Sequence, residues 1–543
     1  MKYLIRLRRT LDLSIKKYLP LYSSCILSVI MYTVCSLIYP SFISIIIDKG
    51  VAKNNVNIIL TNVLIFLIIG IFMIIFYYLQ KILFTTLTQK IVNDIQNKLI
   101  WKLMFVNYEF WNKNKTGDII SIIENDVEKI ENILTVIVGD TFINVFVVIG
   151  VASYLIYIDP LIGCVVIFLS IIFSLMQKRK GVIVKQGMKA LREEFGNLAS
   201  LTNDIINNLS AIQMEDMVDR MANTFLDSNK LYRKNYINQV KKRIGVQNIA
   251  MLFSVFGIFF VLFIGSIRVL QGTMTVGILF SLTMYVQRLY NPIISLSNTY
   301  ISVKNIVPIL DKILNVLESN LVIKNGNVKE IENFVGDINL ENLSYKYPQN
   351  NYFVFENLNI DIKQGEIVGI VGKNGSGKTT LLRLINKLCI PTEGIVKVSN
   401  IDIQDYETRW LWHQVGIMPQ AIYLPRGYLK DILDIDSGLE EKAFRLLEEL
   451  NFDIYKEDSL IDRKIELELN TLSGGEYQKL AFVRLILQNK QIYIFDEPTS
   501  ALDLKTEKKV IEIIKRELSG KTVLIITHRT PILDICNKVI EII

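Results

Sequence analysis

Gly372-Lys373-Asn374-Gly375-Ser376-Gly377-Lys378-Thr379 matches the spacing G-x-x-x-x-G-K-[ST] at every fixed position. Glycines in such a turn let backbone N–H groups converge on phosphate oxygens, and a following helix adds the positive end of its dipole. Lys378 would meet the outer phosphates of a nucleotide, and the Thr379 hydroxyl, with Thr380 beside it, is placed to ligate Mg²⁺. A glycine-rich turn alone is more often only a turn. Here an apolar run, 366–371, precedes it as a buried strand, and residues 379–385 follow as the start of a helix.

Other stretches supply groups of matching chemistry. The run 491–495 reads as an apolar strand ending in two carboxylates, a Walker B pattern. Asp496 would hold Mg²⁺, directly or through water, and Glu497 would orient the attacking water and accept its proton. Gln420, closing the strand 415–419, can sense a γ-phosphate and the metal, and His528, after the strand 522–527, stands where a γ-phosphate contact is plausible. The ring of Tyr347 can stack on a base. Taken singly, each of these has a plain structural reading, as a cap or as packing.

Leu472-Ser473-Gly474-Gly475-Glu476-Tyr477-Gln478-Lys479 adds a second anion-binding helix start: Ser473 can cap the helix and Gly474 and Gly475 expose N–H groups. One domain does not need two γ-phosphate sites. The simplest account is that Ser473, Gly474, Gly475 and Glu476 serve a nucleotide held by a partner copy, so that catalysis needs a dimer.

The rest of the chain must hold these groups against something apolar. Of 543 residues 51% are hydrophobic, concentrated in the first 300, which predicts a membrane half and a soluble half. The net charge of +7 does not imply nucleic acid, because the basic residues cluster between apolar spans. The five cysteines show no metal-ligand spacing and read as free thiols, and two histidines exclude a histidine-rich metal site. The basic and apolar residues of 1–17 suit a short amphipathic helix on the cytoplasmic membrane surface rather than a signal peptide.

Apolar stretches at 18–47, 54–80, 141–158, 160–177, 244–267 and 275–300 are six candidate transmembrane helices. The long intervening segments, 81–140 and 178–243, carry most of the Lys and Arg and are expected in the cytoplasm, with both chain ends inside. Each is helical in pattern and broken once, at 110–118 and at 207–210. Arg288, within the sixth span, should face water or protein, since a central arginine costs at least ~2.5 kcal/mol. Two readings stay open: a cavity residue meeting an anionic group on cargo, or a structural partner. Asn291-Pro292 is expected to loosen that helix.

These motifs together resemble the ATP-binding-cassette (ABC) transporters, the Leu-Ser-Gly-Gly-Glu stretch at 472–476 being the most specific, and nearly the whole chain looks like a half-size exporter of that family. The resemblance implies an α-helical six-helix transmembrane domain (1–317), a linker (318–334) and an α/β P-loop NTPase domain (335–543). It implies Tyr347 as the base-stacking residue, Gln420 as the Q-loop, Ser500 to Asp503 as the D-loop and His528 as the switch histidine. The two loop breaks become coupling helices that dock on nucleotide-binding domains. ATP and Mg²⁺ are the implied ligands. The partner is a second copy or a related half-transporter, among membrane lipids, with small-molecule or peptide cargo and no nucleic acid.

Among such exporters, the stretch Glu476 to Lys479 looks closest to those moving small peptides such as bacteriocins, with a multidrug or lipid exporter as the alternative. An ATPase-coupled membrane sensor and an importer using the same fold are the rivals from other classes. The stretch 464–471 lacks the glycine expected before the signature, a departure that bears on signalling to the membrane part. The chain stops soon after His528, from which weaker dimer contacts are expected, and starts in the membrane domain, so peptide cargo is expected to be matured elsewhere. Abundant Ile, Lys and Asn point to a bacterial plasma membrane.

Overall fold

The computed structural model describes residues 17–134, 139–332, 334–373, 375–425, 427–435, 438–452 and 472–542. The expected amphipathic start, 1–16, and the glycine-free stretch 464–471 lie outside them. The chain divides into two compact units, one of Met1–Ile100 with Gly117–Glu318, the other of Trp101–Thr116 with Ser319–Ile543.

The first unit is helical. Five helical segments among the described residues are long and apolar enough to cross a membrane: Leu19–Val51, Val56–Leu103, Thr141–Ile158, Pro160–Asn207 and Val218–Leu270. The sixth expected span falls in one helix, Val276–Leu317, and Pro292 does not interrupt it. Several helices run well past their apolar stretches. The segments 81–103, 178–207 and 218–243, expected as intervening segments, continue the membrane helices, because Lys, Glu and Gln oppose insertion into lipid but not helix formation. The second break is real: the helix ends at Asn207, a short helix Leu209–Met214 intervenes, and Val218 starts the next.

Large apolar side chains such as Ile74 and Tyr78 face outward, as a lipid-facing surface requires. Polar groups are tied inward. Asp48 accepts from the Gly277 N–H at 2.8 Å, Asp159 caps Pro160–Asn207 through the Leu161 N–H and pairs with Arg268 at 3.1 Å, and Lys81 meets Asp140 at 2.7 Å. Arg288 donates to the Ser36 carbonyl at 2.8 Å and the Ser36 hydroxyl at 3.0 Å, and lies over the Tyr39 ring.

The second unit is built on two sheets. Strands β1 (Ile338–Tyr345), β2 (Phe355–Ile362), β4 (Glu393–Val398) and β5 (Ile401–Asp402) form an antiparallel sheet in the order β2-β1-β4-β5. Strands β3 (Ile367–Gly372), β6 (Val415–Met418), β7 (Ile492–Asp496), β8 (Thr522–Ile526) and β9 (Lys538–Ile542) form a parallel sheet in the order β6-β7-β8-β3-β9. Strands β7 and β8 are buried at every position, the pattern of a parallel sheet covered on both faces. In such sheets ligands collect beyond the carboxyl ends of the strands.

The segment expected as a linker is hydrogen-bonded to this unit. Gly326 and Val328 donate to the carbonyls of Tyr406 and Asp405, and Ile323 donates to Phe105. The segment Trp101–Thr116 belongs here too: Asn107 caps the helix Tyr108–Lys113, the Tyr108 N–H donates to the Leu388 carbonyl, and Phe105 stacks on Trp412.

Candidate nucleotide site and its kinship

Strand β3 ends at Gly372, and the helix Lys378–Ile385 begins five residues after the turn opens at Lys373. Between them Gly375 and Gly377 take φ of +87° and +96°, which side-chain-bearing residues rarely adopt. Gly377 is required twice over, since a Cβ there would run into Val354 and Phe355. The Lys378 ammonium folds back on the loop, donating to the carbonyls of Gly372 at 2.5 Å and Lys373 at 3.0 Å. The Ser376 hydroxyl is buried without a partner. A buried orphan hydroxyl, a lysine held only by loop carbonyls and a helix N-terminus fit a phosphate chain.

The carboxylates come from β7. Asp496, its last residue, is buried, and the Thr379 hydroxyl donates to it at 3.5 Å. Burial, and then the neighbouring Glu497 carboxylate, push the Asp496 carboxyl above the usual carboxylate range. A divalent cation would relieve that strain, and Thr379 with Asp496 is a donor pair suited to Mg²⁺. Glu497 holds φ of +51°, left-handed and unusual for glutamate. Its N–H donates to the Ile526 carbonyl at 2.9 Å, its carbonyl accepts from Gln478 Nε2 at 2.9 Å, and its carboxylate accepts from Gln420 Nε2 at 3.3 Å. These contacts aim the carboxylate into a cleft of about 320 Å³ lined by Tyr347, Gly375, Gly377, Lys378, Thr379, Thr380, Gln420, Asp496 and Glu497, with Asn350, Tyr352 and Val354.

Of the remaining expected site residues, Asn374 lies outside the described residues. His528 is exposed just beyond β8 and does not line the cleft. Ser473 caps the helix Gly474–Leu487 in a reciprocal box: its hydroxyl accepts from the Glu476 N–H at 3.3 Å, and the Glu476 carboxylate accepts from the Ser473 N–H and hydroxyl, both at 2.7 Å. Those bonds, the hydroxyl's first, hold the Glu476 carboxyl below its usual range. None of residues 473–476 lines this chain's own cleft. Asp503 spends its carboxylate capping Leu504–Glu517, accepting from the N–H groups of Lys505 and Thr506 at 3.1 and 3.3 Å.

Three contributors escape sequence reasoning. Gln478 ties the signature helix to the Glu497 carbonyl, the Ser500 hydroxyl at 3.3 Å and the Ala501 N–H at 3.0 Å. Arg383 and Tyr108 gather around Tyr347, whose hydroxyl meets Thr380 Oγ1 at 2.7 Å and accepts from Arg383 Nη1 at 2.9 Å. No motif marks Arg383 or Tyr108, and Gln478 stands in the stretch 472–479 with no role of its own read from it. For Gln478 the only signal is its place on the helix that Ser473 starts.

Comparison with known proteins agrees with this geometry. The family model for the ABC transporter transmembrane region matches residues 23–293, and the ABC transporter model matches 355–500. The chain is 24% identical over 546 residues to ABC transporter B family member 1 of Dictyostelium discoideum, covering 99% of this chain but 59% of that protein. It is 27% identical over 482 residues to the ATP-dependent lipid A-core flippase of Syntrophus aciditrophicus, covering 86% of this chain and 78% of that one. It is 24% identical over 545 residues to a leukotoxin translocation ATP-binding protein of Mannheimia haemolytica, covering 96% and 74%. A solved bacterial Atm1-family ABC exporter with ATP bound shares the fold, with a TM-score of 0.79 at 18% identity over 98% of this chain and 94% of that one. The chain belongs to the ABC transporter family, as a half-size member of exporter architecture in which a transmembrane region and an ATPase domain coupled to transport are fused.

Proposed function

We propose that two copies of this chain, or this chain and a related half-transporter, form an ATP-driven exporter in a bacterial plasma membrane, with the ATPase domains in the cytoplasm. The observation that carries the reading is that Glu497 and the P-loop line one cleft while Ser473 to Glu476 do not. A signature helix whose start is capped, but which faces no site of its own, suits a nucleotide held by a partner. Lys378, the loop N–H groups and Ser376 would bind the phosphates of ATP, and Tyr347 its base. Mg²⁺ held by Thr379 and Asp496, with Gln420 near, would neutralise charge on the outer phosphates. Glu497, fixed by Gln478 and Gln420, orients water and takes its proton. His528 would close on the γ-phosphate from its exposed place when the domains pair.

Small peptides are the proposed cargo, supported by the similarity to a leukotoxin translocation protein. A lipid is the second reading, favoured by the similarity to a lipid A-core flippase. Arg288, already bonded to Ser36, would meet an anionic group of cargo only by leaving that partner. The test is transport into inverted vesicles carrying the chain alone, beside Glu497→Gln, with peptides, drugs and lipids supplied in turn. ATP-dependent accumulation of peptide that is lost in the variant supports the proposal. Hydrolysis without accumulation of any compound would favour a sensor and sink it, and inactivity of ATP-binding protein would remove the homodimer.

A further inference from the structure

The chain between β1 and β2 forms one lip of the nucleotide cleft, and it carries a second aromatic residue that no motif singles out. Its course is set by two backbone bonds: the Asn350 N–H donates to the Tyr347 carbonyl at 2.9 Å, and the Val354 N–H donates to the Tyr345 carbonyl at 2.7 Å. The first closes a turn, and the second brings the returning chain back beside β1. The side chain of Val354 abuts Gly377, so the lip is fastened to the phosphate loop itself.

Asn350, Tyr352 and Val354 all line the cleft, from the turn and bends that join β1 to β2. Phe353, between them, does not line the cleft and packs under the Lys346 ammonium instead. Tyr352 stands on the cleft face and is 67% exposed. Among the described residues it makes no side-chain hydrogen bond or ring contact. Tyr347 is the opposite case. Its hydroxyl is held by Thr380 and Arg383, and its ring packs edge-to-face with Tyr345 and tilted against Tyr108.

We propose that Tyr352 is a second base-binding residue, closing from the lip onto a purine that Tyr347 supports from the fixed side. The inference rests on the nucleotide reading proposed above. A ring with no partner on a lip anchored at both ends can turn onto a planar ligand without unfolding anything, and base–aromatic stacking accepts any flat π-face. Recognition of the base then divides between one pre-set ring and one mobile ring, while the phosphates are held independently by the loop.

The experiment uses the full chain in lipid nanodiscs, in wild-type, Tyr352→Ala and Tyr352→Phe forms, with binding of MgATP and of magnesium tripolyphosphate measured on each. Tripolyphosphate carries the phosphate chain without a base. The expected result is that Tyr352→Ala weakens MgATP by about tenfold, as for one lost stack, leaves tripolyphosphate unchanged, and that Tyr352→Phe behaves as wild type. MgATP affinity unchanged in Tyr352→Ala overturns the proposal and leaves the nucleotide reading standing. Equal weakening of both ligands overturns it as well, because it would mean that the alanine disturbs the lip and the phosphate loop together. Wild-type protein that binds neither ligand would remove the nucleotide reading itself.

Discussion

The guanidinium of Arg383 lies 3.7 Å from the centre of the Tyr108 ring while its Nη1 donates to the Tyr347 hydroxyl at 2.9 Å. One side chain on the helix that follows the glycine-rich loop thus touches both Tyr347 and the helix Tyr108–Lys113. Thr380 and Arg383, three residues apart, reach Tyr347 from one helix face. A double-mutant cycle of Arg383→Leu and Tyr108→Leu, read by thermal unfolding of the full chain, should give an interaction of about 0.5–2 kcal/mol. Strict additivity would show that the stacking contributes nothing.

Asp496 gives a pH-dependent expectation. Its carboxyl is raised by burial and then by Glu497, so the folded state holds that proton more tightly than the unfolded chain. The stability it contributes is present below the ordinary carboxylate value and is lost as pH rises through the raised one. At neutral pH, where this carboxyl is ionised in the unfolded chain, the ligand-free fold therefore lacks that stability. Asp496→Asn should raise the unfolding temperature at pH 7, with the gain shrinking at about pH 4, while ATP hydrolysis falls by a factor of about 100 or more. An equal gain at both pH values would contradict the assignment.

Ser473→Ala removes the hydroxyl that starts the helix Gly474–Leu487 and should cost about 0.5–2 kcal/mol of stability. Because this helix start does not line the chain's own cleft, ATP binding by the monomer in detergent should be unchanged while hydrolysis drops. A parallel loss of monomer affinity would place the signature at its own chain's nucleotide.

The linker offers a steric test. A Cβ at Gly326 would overlap the backbone carbonyl of Asp405, whereas one at Gly117 meets nothing within 4 Å. Gly326→Ala should destabilise by about 1–3 kcal/mol and Gly117→Ala should stay within about 0.5 kcal/mol, both read by thermal unfolding. Equal effects would mean that the segment 323–328 yields freely.

Where chemistry depends on local backbone and on periodicity, sequence by itself determined this protein. Glycines at 375 and 377 are needed for left-handed φ, the apolar runs at β3, β7 and β8 read as strands with buried centres, and Ser473 with Glu476 three residues on forms a cap box. The apolar spans were legible for the same reason. Their ends were not, because helices such as Val56–Leu103 continue beyond the apolar stretch, with Phe84, Leu87, Ile91, Ile95 and Leu99 buried along the extension. Tertiary structure decided the rest. That Trp101–Thr116 packs with the ATPase unit, that Arg383 joins Tyr108 to Tyr347, and that Gln478 braces Glu497 in a left-handed conformation all depend on contacts between distant residues. So does the exposed position of His528. Such contacts follow from how strands order and helices pack in space, which no spacing along the chain encodes.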